Sequence, residues 1–341
     1  MTATFDSARR ASALAAKAAE HDGPGGRAGR MCPADYRYPH AVFDRPPEFA
    51  TGVLYVVGGL YGNLPALDCV ERLAGAERAM VIFNGDFHWF DADRDWFAEI
   101  EQRVARHRAI RGNVETEIAR TTDIGAGCGC AYPPSVGEDV VRRSNEMLLD
   151  LRSTAQTLAG AAVRMAALPM HLVAEVGGLR VGIVHGERCS ARRLVLRIRR
   201  AGKARGARDA RRRARGIAGI DLFASTHTCL AALRHFRLPA GRLTVINNGA
   251  AGMPNFSGGR VGLVSRIATT PSPHRPLYGI VRDGIHIDAI ALPYDNEAFL
   301  RRFLARWPAG TAAHLSYFER ITAGPGHTVA RAAPTPRTPN A

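Results

Sequence analysis

Four residues with metal-ligating side chains each stand at the end of an apolar run. Asp86 follows Met80-Val81-Ile82-Phe83, Asn113 follows Ala109-Ile110, His185 follows Leu179 to Val184, and His227 follows Asp221-Leu222-Phe223-Ala224. One carboxylate, one amide oxygen and two imidazoles make a donor set suited to Mn, Fe, Ni or Zn. Taken singly, each has a plainer role. A lone buried histidine is most often a hydrogen-bonded core residue, and Asn-Gly or Gly-Asp pairs are usually turns. Taken together they point to a shared site, because ligands of α/β sheets lie at the carboxyl ends of the strands.

The elements that would carry these residues follow from apolar patterning. Val53 to Val57 is a continuous apolar strand, Gly58-Gly59-Leu60-Tyr61-Gly62-Asn63 a turn, and Leu67, Val70 and Leu73 recur at helical spacing after Pro65. Strand, Gly-rich turn and helix open a βα unit, and residues 80–86 start a second. Helices are expected near 96–106 and 137–158. Strands 170–176 and 179–184 flank Gly177-Gly178 as a hairpin. Further strands are expected at 243–249, 277–282 and 285–291. The fold class is α/β.

With 341 residues, 46% hydrophobic and 23% charged, the chain can bury a full core and is not disordered, collagenous or a disulfide scaffold. It has no run of about 18 apolar residues that would span a membrane. The net charge of +15 is local: residues 191–215 hold twelve Lys or Arg against one acid, Asp209, and so supply +11 of it. This stretch is either a solvated surface insertion or a non-specific polyanion-binding segment; too few aromatics interleave for base stacking. Cys32, Cys69, Cys128, Cys130, Cys189 and Cys229 form no CxxC pair, and no apolar leader precedes them, so free thiols and a cytoplasmic setting are expected. Cys128 and Cys130 lie in a Gly-rich loop, with packing or a metal or redox role open to them. Residues 1–48 read as a tail and linker, 49–322 as one domain with 191–215 inserted, and 323–341 as a disordered tail.

These segments, in their order, resemble the calcineurin-like metallophosphoesterases. The stretches are GGLYGNLPAL (58–67), NGD (84–86), RGN (111–113), VHG (184–186) and STHTC (225–229), against a family series of Asp-x-His, Gly-Asp, Gly-Asn, His-Gly and Gly-His-x-His. Gly62 to Leu67 is similar to a bacterial branch, as are Asn247-Asn248-Gly249-Ala250 and Pro293-Tyr294-Asp295. The resemblance covers about Val53 to Asp295. It implies a β-sandwich flanked by helices, in αββα layers, and a divalent metal site.

The departures fall on one side of that site. The family's first metal is held by an Asp-x-His and a last His, and here those positions are Gly59, Tyr61 and Cys229. The ligands of the second metal survive as Asp86, Asn113, His185 and His227. Val114 stands where most relatives have a leaving-group His, and Trp89 where a further Asp is usual. The resemblance therefore implies one divalent transition metal rather than two. Tyr61 is a packed aromatic, a donor to a phosphate oxygen or a phenolate metal ligand; His88 is either structural or a substitute acid or ligand; Cys229 is either a buried thiol or a soft ligand. The implied function is a phosphomonoesterase or phosphodiesterase using one metal and metal-activated water. The alternative is a weak or inactive relative that binds a phosphorylated ligand or polyanion. Restoring Asp, His and His at Gly59, Tyr61 and Cys229 is expected to add a second metal.

Overall fold

Strand residues alternate between two cores. In β2 (Val53–Val57) Leu54 and Val56 face one apolar cluster while Tyr55 and Val57 face another, the period of two that a strand buried on both faces requires. The computed structural model describes residues 28–33, 36, 38–186, 219–238 and 241–334. The basic stretch 191–215 and Cys189 lie outside them.

Two six-stranded mixed sheets pack face to face, with helices flanking them. The first has the order β11 (Tyr278–Arg282), β12 (Ile285–Leu292), β10 (Gly262–Ala268), β2, β3 (Met80–Asn84) and β4 (Arg108–Ile110). Its β2, β3 and β4 are parallel, and β10 joins β2 antiparallel. The second has the order β1 (Phe49–Thr51), β5 (His171–Val176), β6 (Leu179–Val184), β7 (Leu222–Ser225), β9 (Gly241–Asn247) and β8 (Ala232–Leu238). Here β6, β7 and β9 run parallel. Leu54, Val56, Ile82 and Ile110 of the first sheet meet Ala174, Val181, Ile183, Leu222 and Ile246 of the second in the middle layer. This is the α/β sandwich expected.

The helices cover the outer face of the first sheet. They are α1 (Leu64–Ala76), α2 (Arg94–Val104), α3 (Asn113–Ala119), α4 (Glu138–Gln156), α5 (Ala161–Ala167), α6 (Asn296–Arg306) and α7 (Ala312–Ala323). Asn63 caps α1 by accepting from the Ala66 amide, with Pro65 in the first turn. The hairpin β5–β6 turns at Gly177 and Gly178, both at positive φ. Strands β1, β8 and β10 and helices α3, α5, α6 and α7 are additions to the elements expected from sequence.

Parts of both expected tails are packed. The Phe43 ring is buried against Phe223, and the Tyr36 hydroxyl donates to Glu117 at 2.6 Å. Beyond 323, a short α8 (Val329–Ala332) buries Ala332 and offers its carbonyl to Arg234 at 2.9 Å. Burying an aromatic or satisfying a half-buried guanidinium orders chain that is compositionally plain. Among the described residues, no helix is long and apolar enough to cross a membrane.

Candidate metal centre

The parallel strands of both sheets end at one place. Asp86 lies two residues beyond β3, Asn113 opens α3 after β4, His185 follows β6 and His227 lies two residues beyond β7. All four expected ligands are thereby brought together. His185 Nε2 lies 3.2 Å from Asp86 Oδ2 and 3.1 Å from Asn113 Oδ1. His227 Nδ1 lies 3.0 Å from Asn113 Oδ1 and 3.2 Å from His185 Nε2. The ligand atoms of Asp86, His185 and His227 all fall within 4.8 Å of one another.

The outward-facing atoms fix how the inward ones are presented. His185 Nδ1 is 2.8 Å from the Asn84 carbonyl, which can only accept, so Nδ1 carries its proton and Nε2 turns inward. Asn113 donates Nδ2 to the Cys128 carbonyl at 2.9 Å, which leaves Oδ1 facing the cluster. His227 turns Nδ1 inward. His185 and Asn113 thus spend outward donors on backbone carbonyls, and with His227 they aim one atom each at one point. Outer bonds that orient ligands in this way are characteristic of metal sites. The carboxylate, amide and imidazole set fits a divalent transition metal.

The cluster shares its charge unequally. Burial disfavours a proton on His185, but the Asp86 carboxylate outweighs it and holds that imidazole at about 9. Burial, aided by the charge on His185, pushes His227 down to about 4. Burial raises Asp86, and the two histidines outweigh it, leaving the carboxyl below its usual range. The side chains by themselves therefore centre one proton on His185 Nε2, and a divalent cation would take that proton's place.

Backbone strain is concentrated here. Tyr61, Asp86, His227 and Cys229 have φ of 55°, 54°, 38° and 52°. Non-glycine residues adopt this region at a cost of about 1–3 kcal/mol each, and keep it only where surroundings impose it.

Glu115, not singled out from the sequence, is what imposes it at Asp86. Its buried carboxylate accepts from the amides of Asp86 and Gly112 at 2.8 Å each, Phe87 at 2.9 Å and His88 at 3.3 Å. One side chain thereby ties the loop after β3 to the loop after β4. Burial, and then the charge of Asp86, raises its pKa. Its sequence signal is the capping-box spacing from Gly112.

Gly59, Tyr61 and Cys229 also meet. A Cβ on Gly59 would lie 2.2–2.5 Å from the Tyr61 ring and hydroxyl, so that ring occupies the space of a side chain at 59. The Tyr61 hydroxyl bonds the Cys229 thiol, and both residues are 6% exposed. Tyr61 is therefore a packed aromatic with its hydroxyl engaged.

His88 is not brought to the cluster. Its fully buried ring stacks on Phe97 at 3.8 Å, and Nδ1 bonds Asp91 Oδ2. That position suits packing, not an acid in a cleft. Of the two loop cysteines, Cys130 places its thiol 3.6 Å from Asn113 Nδ2, and Cys128 lends its carbonyl to the same amide. Cys69, Cys128, Cys130 and Cys229 are free thiols. A cleft lined by Tyr36, Tyr38, Arg111 and Met170 reaches Asn113 and His185.

No family model matches the chain. No curated protein matches it either. Among solved structures it is similar to a hypothetical protein of Pyrococcus horikoshii, at 14% identity and TM-score 0.49, covering 80% of this chain and 99% of that one. It is also similar to a metallophosphoesterase of Sphaerobacter thermophilus, at 16% identity and TM-score 0.46, covering 80% and 100%. A phosphoesterase of E. coli is similar at 14% identity and TM-score 0.34, covering 70% and 99%.

Proposed function

We propose that the protein is a metal-dependent phosphoester hydrolase of the metallophosphoesterase kind, holding one divalent transition metal on Asp86, Asn113, His185 and His227. The observation that carries this is the inward convergence of their four acceptor atoms while the outward donors of His185 and Asn113 are bound by the carbonyls of Asn84 and Cys128. A divalent cation there would supply Lewis acidity, polarising a phosphoryl oxygen and making water a better nucleophile at neutral pH.

The chain's own part is to orient and to exclude. Glu115 keeps Asp86 and Asn113 in register, and the Asn84 carbonyl keeps His185 Nε2 turned inward. Val114, 2% exposed, offers no proton to a leaving group. Turnover should therefore favour esters whose alcohols leave unprotonated, such as aryl phosphates. The same reading places the protein in a reducing, cytoplasmic setting where its thiols persist.

A second reading has its own support. The Tyr61 ring over Gly59 fills space that a two-metal enzyme needs, which favours a protein that binds a phosphorylated ligand and hydrolyses it slowly or not at all.

Elemental analysis and an ester panel separate the two. The hydrolase should hold close to one metal, lose it in Asp86→Ala or His185→Ala, and cleave aryl esters faster than alkyl esters. A metal content near two would defeat the one-metal assignment. One metal with no turnover of any ester would leave the binding role.

A further inference from the structure

A second feature beside the cluster is cationic. Arg320, on α7, donates Nη2 to the Cys229 carbonyl at 3.3 Å, two residues beyond His227. Its Nε is buried without a hydrogen-bond partner, and the side chain makes no salt bridge among the described residues. A half-buried guanidinium with no carboxylate and an orphaned donor is costly unless an anion completes it.

Its neighbours are the residues at the lost-ligand positions. Burial raises the Tyr61 hydroxyl and the Cys229 thiol, and Arg320 is the positive charge that opposes this at both. Tyr317, one turn earlier on α7, packs its ring edge-on against Phe90 at 5.1 Å and against Trp89 at 6.4 Å, anchoring the helix face that carries Arg320. Gly59, Tyr61 and Cys229 bring no positive charge of their own.

We infer that the Arg320 guanidinium is a phosphate clamp, binding the phosphoryl oxygens that a second metal would otherwise hold. This rests on the hydrolase assignment, because the anion it takes is the phosphoryl group placed at Asp86, Asn113, His185 and His227. Guanidinium suits this role because its planar fork of donors matches two phosphate oxygens at once and is always charged. Arg320 would bind and orient the group and move no proton.

The test is calorimetric titration of inorganic phosphate into the whole protein, with elemental analysis of every sample. Arg320→Gln should keep the unmutated metal content and bind phosphate at least about tenfold more weakly, the loss of a charge-assisted bidentate contact. Arg320→Lys keeps the charge but not the fork and should fall between. Arg260→Gln, which removes an exposed partner of Glu297, should change nothing.

Unaltered phosphate affinity in a metal-replete Arg320→Gln or Arg320→Lys protein would overturn the clamp, as would an unmutated protein that binds no phosphate. The lysine variant decides the matter if the glutamine variant does not fold. A metal-free protein whose phosphate affinity still falls in Arg320→Gln would remove the hydrolase assignment and leave the clamp.

Discussion

At Gly59 the missing side chain is matched by an extra ring. A Cβ there would sit 2.2–2.5 Å from Tyr61, so Gly59→Asp alone must push the ring out of a packed site, at a cost of about 1–3 kcal/mol. The backbone is not the obstacle, since Gly59 is not among the glycines at positive φ. Adding Tyr61→His removes the far end of the ring and should recover most of that loss in urea unfolding. Adding Cys229→His then completes a donor set around the freed space. The triple variant should take metal content from near one to near two, while Gly59→Asp alone should not. A folded triple variant with no extra metal would mean that these three positions are not those of vacated ligands.

Elements are held at the site by Glu115 as much as by their own strands. It bridges the ends of β3 and β4 through four backbone amides, and it opens α3 from the third position of that helix. Glu115→Gln keeps the shape but replaces one acceptor oxygen with a donor that faces N–H groups. The loss should be about 1.5–3 kcal/mol of stability, as for hydrogen bonds to a charged group. Because the loops carry Asp86 and Asn113, metal affinity should fall about 10–100-fold, the usual effect of losing an outer partner. Competition with a chelator measures this. Unchanged affinity in a folded variant would show that the loops hold their shape without the carboxylate.

At the scale of the whole molecule, a buried ion pair ties the first sheet to its helices. Arg266 in β10 is fully buried and bonds Glu77, just beyond α1, through Nη2 at 2.6 Å and Nε at 2.9 Å, with Tyr55 of β2 donating to the same carboxylate. Burial raises the Glu77 pKa, but the Arg266 and Tyr55 donors outweigh it and hold it below the ordinary value. A carboxylate lowered on folding adds stability that is complete above the unfolded pKa of about 4.3 and is lost as pH falls through the lowered folded value. Glu77→Gln should therefore cost about 1.5–3 kcal/mol at neutral pH, because it removes the nearer charge from Arg266 and leaves Asp288, 3.7 Å away, to balance it. It should also lose less than the unmutated protein between pH of about 5 and 3. Urea unfolding across that range checks both. Parallel acid loss in the two proteins would show that another group carries the pH dependence.

What the sequence determined by itself was local. The apolar runs ending in Asp86, Asn113, His185 and His227 could be read because strand periodicity and the polar residue at its end lie in one short window. The same holds for the β5–β6 hairpin at Gly177-Gly178. Strand β10 could not be read so, because Arg266 interrupts its apolar pattern and becomes a core residue only once Glu77, 189 positions away, pairs with it. Tertiary structure alone decided that Tyr61 fills the space over Gly59, that Glu115 bridges two loops, and that Arg320 reaches Cys229 from 91 positions away. Those contacts depend on which elements pack together, and packing is set by the summed burial of both sheets and their helices, which no window of a few residues contains.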